Sequence, residues 1–78
     1  MIPSLEEFTN AVKGYFQVGW WNLSAKQVDD YIYGEEAQEL ITNRYNEAVK
    51  KYKNKEITER QFMIGIASSA GNCLIYMY

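Results

Sequence analysis

Residues Phe62 to Tyr78 carry no charged side chain, and Arg60 is the last charge of the chain. Seventeen consecutive uncharged residues in a chain of 78 need an apolar environment, which a core, a partner subunit or a bilayer supplies. This length only reaches the lower limit for a membrane-spanning helix, about 17 residues. Small and polar residues also dilute its hydrophobicity: Gly65, Ser68, Ser69, Gly71 and Asn72. The pattern therefore predicts a buried helix and no membrane insertion.

Apolar residues recur at three-and-four spacing in four segments, which is typical of amphipathic helices. Capping boxes at Ser4–Glu7, Ser24–Gln27 and Thr58–Gln61 mark three helix starts, because each hydroxyl can accept a hydrogen bond from the backbone three residues later. Gly19 and Gly34 are suitable helix ends. No strand pattern, internal repeat or low-complexity tract is present. The predicted helices cover residues 5–18, 25–33, 35–53 and 59–77.

These segments predict an all-α fold, a compact bundle of three to four helices with the uncharged C-terminal helix at its centre. Seventy-eight residues form a single helical domain, residues 1–78. The last helix is apolar around most of its circumference, which indicates burial. Some of its apolar side chains exceed what three helices cover, and a homodimer through the C-terminal helix would bury them: Ile64, Ile75, Tyr76 and Tyr78.

The residue types argue against catalysis. The chain has no histidine, the usual acid–base group at neutral pH. Its single cysteine, Cys73, lies on an apolar helix side, where burial makes a thiol inert, and the lack of a disulfide partner favours the cytoplasm. Neighbours in the pairs Asp29–Asp30 and Glu35–Glu36 point about 100° apart on a helix, which disfavours a paired-carboxylate or metal site. Residues 1–7 lack the pattern of a signal peptide. We therefore expect a cytoplasmic protein that is not an enzyme and binds no cofactor or metal.

Charge is distributed unevenly along the chain. Residues 1–47 hold eight acids and three bases, a net −5, whereas residues 48–78 hold two acids and five bases, a net +3. The second and third predicted helices, joined at Gly34, suggest a helix-turn-helix in outline. The third helix begins with acidic residues that would repel phosphate: Glu35, Glu36 and Glu39. We therefore expect no nucleic-acid function, the alternative being weak backbone contacts from Lys50 to Lys55.

Two aromatic pairs suggest a binding surface. Trp20 and Trp21 lie in or beside the turn before the second helix, where two adjacent side chains seldom both point inward. Two interpretations stay open: both tryptophans are buried in the core, or at least one of them lies on the surface. Tyr31 and Tyr33 point roughly 200° apart on a helix, so Tyr33 faces water if Tyr31 faces the core. The predicted partner-binding residues combine aromatic and acidic side chains: Trp20, Trp21, Asp29, Asp30, Tyr33, Glu35 and Glu36. An ordinary solvated corner is the alternative interpretation.

The leading hypothesis is a small non-enzymatic protein-interaction module that binds a larger protein with a basic surface. By analogy of size and composition alone, such chains include short phage and mobile-element products that occlude host proteins, anti-CRISPR-type inhibitors among them. The alternatives are a homodimeric accessory protein and, more weakly supported, a nucleic-acid-binding helical domain.

Overall fold

The computed structural model describes all 78 residues and confirms the all-α prediction. Its helices are α1 (Leu5–Gly19), α2 (Ala25–Ile32), α3 (Glu35–Lys53), a π-helical segment (Gln61–Ile66) and α4 (Ala67–Met77). One continuous helix, which we call the C-terminal helix, comprises Glu59, Arg60, the π-helical segment and α4. None of the helices combines the length and the hydropathy that a bilayer crossing requires.

All three sequence-predicted capping boxes form. The Ser4 hydroxyl accepts a hydrogen bond from the backbone N–H of Glu7, and Ser24 and Gln27 pair reciprocally. Thr58 N–H donates to the Gln61 carboxamide at 2.8 Å, and Gln61 N–H donates to the Thr58 hydroxyl at 3.1 Å. These side chains satisfy backbone groups that a helix start otherwise leaves unpaired. The starts of α1, α2 and the C-terminal helix are thus fixed by local sequence.

The C-terminal helix opens with a π-helical segment, which the sequence does not predict. In a regular α-helix Phe62 and Ala67 would point roughly 140° apart. A π-helix is built on hydrogen bonds between residues five apart, which brings residues at that spacing to the same side. Phe62 and Ala67 are both fully buried. Met77, which the α-helical spacing places on the same apolar side, is instead 41% exposed.

α1 and the C-terminal helix run parallel, side by side. Near their starts, the rings of Phe8 and Phe62 meet edge-on with centroids 5.7 Å apart. At their ends, the Trp20 indole N–H donates to the Ile75 carbonyl at 3.0 Å. The helices approach each other closely at Gly71, which is buried against Tyr15 and Val12 of α1.

α3 packs on another side of the C-terminal helix and runs antiparallel to it. Tyr45 and Tyr52 contact Phe62, whereas Arg44, earlier in α3, donates a hydrogen bond to the Ser69 hydroxyl at 3.4 Å. The C-terminal helix therefore packs against both α1 and α3, which also contact each other through Phe8 and Tyr45, and its remaining side faces solvent. Twelve apolar residues form the core: Phe8, Val12, Phe16, Val28, Ile32, Ala37, Ile41, Ala48, Phe62, Ala67, Ala70 and Leu74.

Candidate interaction surface

A cluster of four aromatic rings closes one end of the bundle. Tyr78, just beyond α4, packs against Phe16, Trp20 and Tyr31, with ring centroids 5.7, 5.1 and 4.9 Å away. Phe16 and Tyr31 also contact each other at 5.1 Å. Three separate elements thus meet at this cluster, and each aromatic pair adds about 0.5–1.5 kcal/mol beyond the apolar area that it buries.

The structure separates the roles of the two adjacent tryptophans. Trp20 is partly buried, packs on the core and is tied to Ile75 through its indole N–H. Trp21 is 81% exposed. The Gln17 carboxamide braces this turn by donating to the carbonyls of Trp20 at 2.9 Å and Leu23 at 3.3 Å. Trp21 is therefore presented to solvent from a fixed turn, and Trp20 supports it from inside.

The protein has four exposed aromatic side chains, and all lie at or near this cluster. We call them the aromatic end: Trp21, Tyr33, Tyr76 and Tyr78, exposed by 81%, 53%, 85% and 50%. Each belongs to the cluster or lies within two residues of a cluster member along the chain. As expected from the helical angle, Tyr31 turns inward and Tyr33 outward. Every other aromatic side chain is buried or half-buried.

Two of the predicted acidic residues are neutralised by lysines. Asp29 accepts a hydrogen bond from the Lys13 ammonium at 3.0 Å, and this bond raises the pKa of Lys13 above its ordinary value. The same ammonium lies 5.6 Å from the centre of the Tyr33 ring. Asp30 pairs with Lys26 at 2.8 Å, one helical turn earlier, which likewise raises the pKa of Lys26. Asp29 and Asp30 therefore contribute little free negative charge.

The acids at the start of α3 have no such partners. Glu35 and Glu36 are exposed, and no ion pair involves either residue. Glu36 lines a cleft of about 300 Å³ together with Met77 and Glu39. This cleft borders the aromatic end, because Met77 lies between Tyr76 and Tyr78. The free negative charge here comes from α3.

The structure thus brings together part of the predicted surface. Trp21 and Tyr33 are exposed there, and Glu36 lies beside Met77 at its edge. Trp20 faces inward, and Asp29 and Asp30 are exposed but paired with Lys13 and Lys26. Tyr76 and Tyr78, which the sequence predicts only as self-association residues, are also exposed at this end. Gln17 was missed, because its role depends on the turn geometry and leaves no spacing signal.

Comparison with known proteins finds no matching family model, no matching curated protein and no matching solved structure. Function is therefore inferred from the geometry of the chain itself.

Proposed function

We propose that this chain is a non-enzymatic protein-interaction module that binds a larger protein through the aromatic end. The observation that supports this proposal most directly is that all four exposed aromatic side chains belong to one aromatic cluster or lie within two residues of it along the chain. Tryptophan and tyrosine are enriched among the residues that dominate binding energy at protein interfaces. Holding Trp21 on a braced turn also lowers the entropy lost when a partner immobilises it.

The charges beside the aromatic end favour a partner with a basic surface. Glu35, Glu36 and Glu39 are free of ion pairs, whereas Lys13 and Lys26 are engaged by aspartates. Arg44 is also unpaired and lines the same cleft as Glu36 and Glu39, so the three glutamates and this arginine carry a net charge of −2. A complementary positive surface would be steered towards this end and held in register. By analogy of size, the proposal extends to occlusion of a host protein by a phage or mobile-element product in a reducing cytoplasm, where Cys73 stays a free thiol.

Quantitative affinity capture tests the proposal with immobilised protein, a host lysate and mass spectrometry. Trp21→Ala and Tyr76→Ala each remove an exposed ring without touching the core, and the same truncation at Lys53, at the other end of α3, is the matched control. We expect at least one captured protein to drop roughly tenfold or more with each aromatic variant and to be retained by Lys53→Ala. Trp20 is unsuitable because its indole holds Ile75.

Neutralisation of two acidic residues gives a second arm of the test. Glu35→Gln with Glu36→Gln should weaken capture of the same protein, and capture by the wild type should fall as salt rises. The proposal is wrong if the aromatic variants, with unchanged circular dichroism, retain every protein that the wild type captures.

A further inference from the structure

The start of the C-terminal helix is anchored in the core by one ring. The Thr58–Gln61 capping box fixes the first turn. Immediately afterwards, the Phe62 side chain is fully buried. Three rings meet it edge-on, with centroids 5.7, 5.7 and 6.2 Å away, and we call them the aromatic slot: Phe8, Tyr45 and Tyr52. The position of Phe62 is therefore set by α1 and α3 together.

The second half of the same helix is anchored separately, along α1. Gly71 is buried against Tyr15, and the Trp20 indole N–H donates to the Ile75 carbonyl at 3.0 Å. From Ala67 onwards the buried residues recur at the three-and-four spacing of a regular α-helix: Ala67, Ala70, Gly71 and Leu74. These contacts fix the rotation of α4 about its axis independently of Phe62.

One residue more than a regular α-helix needs lies between the two anchors. An α-helix turns about 100° per residue, so the residue that shares a side with Ala67 is the one four positions earlier, Met63. The structure instead buries Phe62, five positions earlier. The hydrogen bonds of a π-helix span five residues and make this alignment possible. The π-helical segment therefore takes up a single surplus residue.

The chemistry of the aromatic slot explains why Phe62 fills it and Met63 does not. Aromatic rings that meet edge-on stabilise a core beyond the apolar area that they bury, and methionine has no ring to contribute. The surplus residue also displaces no core side chain, because the widened turn faces solvent. Ile64 is 48% exposed, and a Cβ atom added at Gly65 would meet no atom within 4 Å.

We propose that the π-helical segment is a register device, which takes up one surplus residue so that Phe62 fills the aromatic slot while α4 keeps the rotation that brings Gly71 against α1. The surplus residue is needed for neither anchor. Because Tyr76 and Met77 rotate with α4, the device also sets which side of this helix faces the aromatic end. The proposal involves no partner and stands independently of the proposed function.

Deletion of one residue tests the register directly. Removing Ile64 places Phe62 four positions before Ala67, so a continuous α-helix then satisfies both anchors. We expect the Tm of this variant to stay within about 5 °C of the wild-type value. Removing Asn72, which is also a solvent-exposed residue of this helix, is the matched control. This deletion turns Leu74 by about 100° away from its contacts, and Tm should fall by at least about 10 °C.

NMR spectroscopy measures whether the helix changes in the expected way. Scalar couplings across hydrogen bonds identify the carbonyl that each backbone N–H reaches. The wild type and Ile64→Ala, which keeps the residue count, should show N–H groups of the segment bonded to carbonyls five positions earlier. In the variant that lacks Ile64 the span should be four residues throughout. Contacts between the Phe62 and Phe8 rings should persist in all three proteins.

Three results would overturn the proposal. Deletion of Ile64 could lower Tm as much as deletion of Asn72 does, it could abolish the contact between Phe62 and Phe8, or the wild type could lack hydrogen bonds that span five residues. Deletion of Asn72 that prevents folding altogether counts as the larger loss and supports the proposal. None of these measurements uses a partner, so failure of this proposal is distinguished from failure of the proposed function.

Discussion

Gly71 offers a direct test of how closely α1 and the C-terminal helix approach each other. A Cβ atom added at Gly71 would lie 2.7 Å from the Tyr15 Cβ and 3.0 Å from the Val12 carbonyl oxygen. Ordinary contacts between carbon atoms lie at about 3.5–4.0 Å. Both obstacles belong to the α1 backbone or are attached directly to it, so rotation of a side chain cannot relieve the clash. Gly71→Ala must therefore push the two helices apart.

The expected magnitude follows from two opposing contributions. Overpacking of a core contact costs about 1–3 kcal/mol. Replacing a helical glycine by alanine gains about 1 kcal/mol through helix propensity. The free energy of unfolding of Gly71→Ala should therefore fall by a net amount of about 0–2 kcal/mol. Gly14→Ala is the matched control, because it keeps the propensity gain and meets no atom within 4 Å.

Urea and thermal unfolding, followed by circular dichroism at one fixed protein concentration, measure the difference. The two variants should differ by the overpacking cost alone, about 1–3 kcal/mol in the free energy of unfolding or at least about 4 °C in Tm, with Gly14→Ala the more stable. Equal stability, or a more stable Gly71→Ala, would refute the close approach of these helices. A single protein concentration removes concentration-dependent shifts of Tm from the comparison.

Other positions give further predictions. The Tyr31 hydroxyl is buried without a hydrogen-bond partner, so Tyr31→Phe should leave stability unchanged or raise it by up to about 1 kcal/mol in urea unfolding. Burial, followed by the charges of Glu36, Cys73 and Tyr78, raises the pKa of Tyr31 above its ordinary value of 10.0. Because the folded state holds this proton more tightly than the unfolded state, the protonated Tyr31 hydroxyl contributes to the free energy of unfolding. This contribution is complete below pH 10.0 and is lost as the pH rises further. It should be absent from Tyr31→Phe. A Tyr31→Phe protein with an unchanged alkaline profile would contradict this assignment. Arg44 donates a hydrogen bond only to the Ser69 hydroxyl and has no carboxylate partner within 4.0 Å. Arg44→Met should therefore shift the free energy of unfolding by less than about 0.5 kcal/mol in urea unfolding. A much larger loss would show that Arg44 forms an ion pair and would contradict this prediction.

Local features of the fold were predictable from the sequence. Capping boxes act over three residues, so Ser24 and Thr58 mark helix starts wherever the helices later pack. The π-helical segment could not be predicted from the local sequence. It brings Phe62 and Ala67 to the same side of the helix, where both enter a core that the other helices form. The burial of Gly71 likewise depends on α1 lying alongside it. The sequence presents Gly71 only as a small residue.

The candidate site follows the same division. Exposure of Tyr33 follows from helical angle once Tyr31 is placed inside. The pairing of Asp29 with Lys13 could not be derived in this way, because Lys13 lies 16 positions away on another helix. Likewise, Trp20 and Trp21 are equivalent in the sequence, and the carbonyl of Ile75, 55 positions from Trp20, distinguishes them.

The parallel pairing of α1 with the C-terminal helix has a consequence for synthesis in the cell. Phe8, Val12 and Phe16 leave the ribosome early, yet the helix that covers them is translated more than fifty positions later. Contacts so distant along the chain slow folding, and exposed apolar stripes on a nascent chain invite aggregation. Until α4 emerges from the ribosome, only α2 and α3 can cover the apolar side of α1. The complete core must therefore form after most of the polypeptide has been translated.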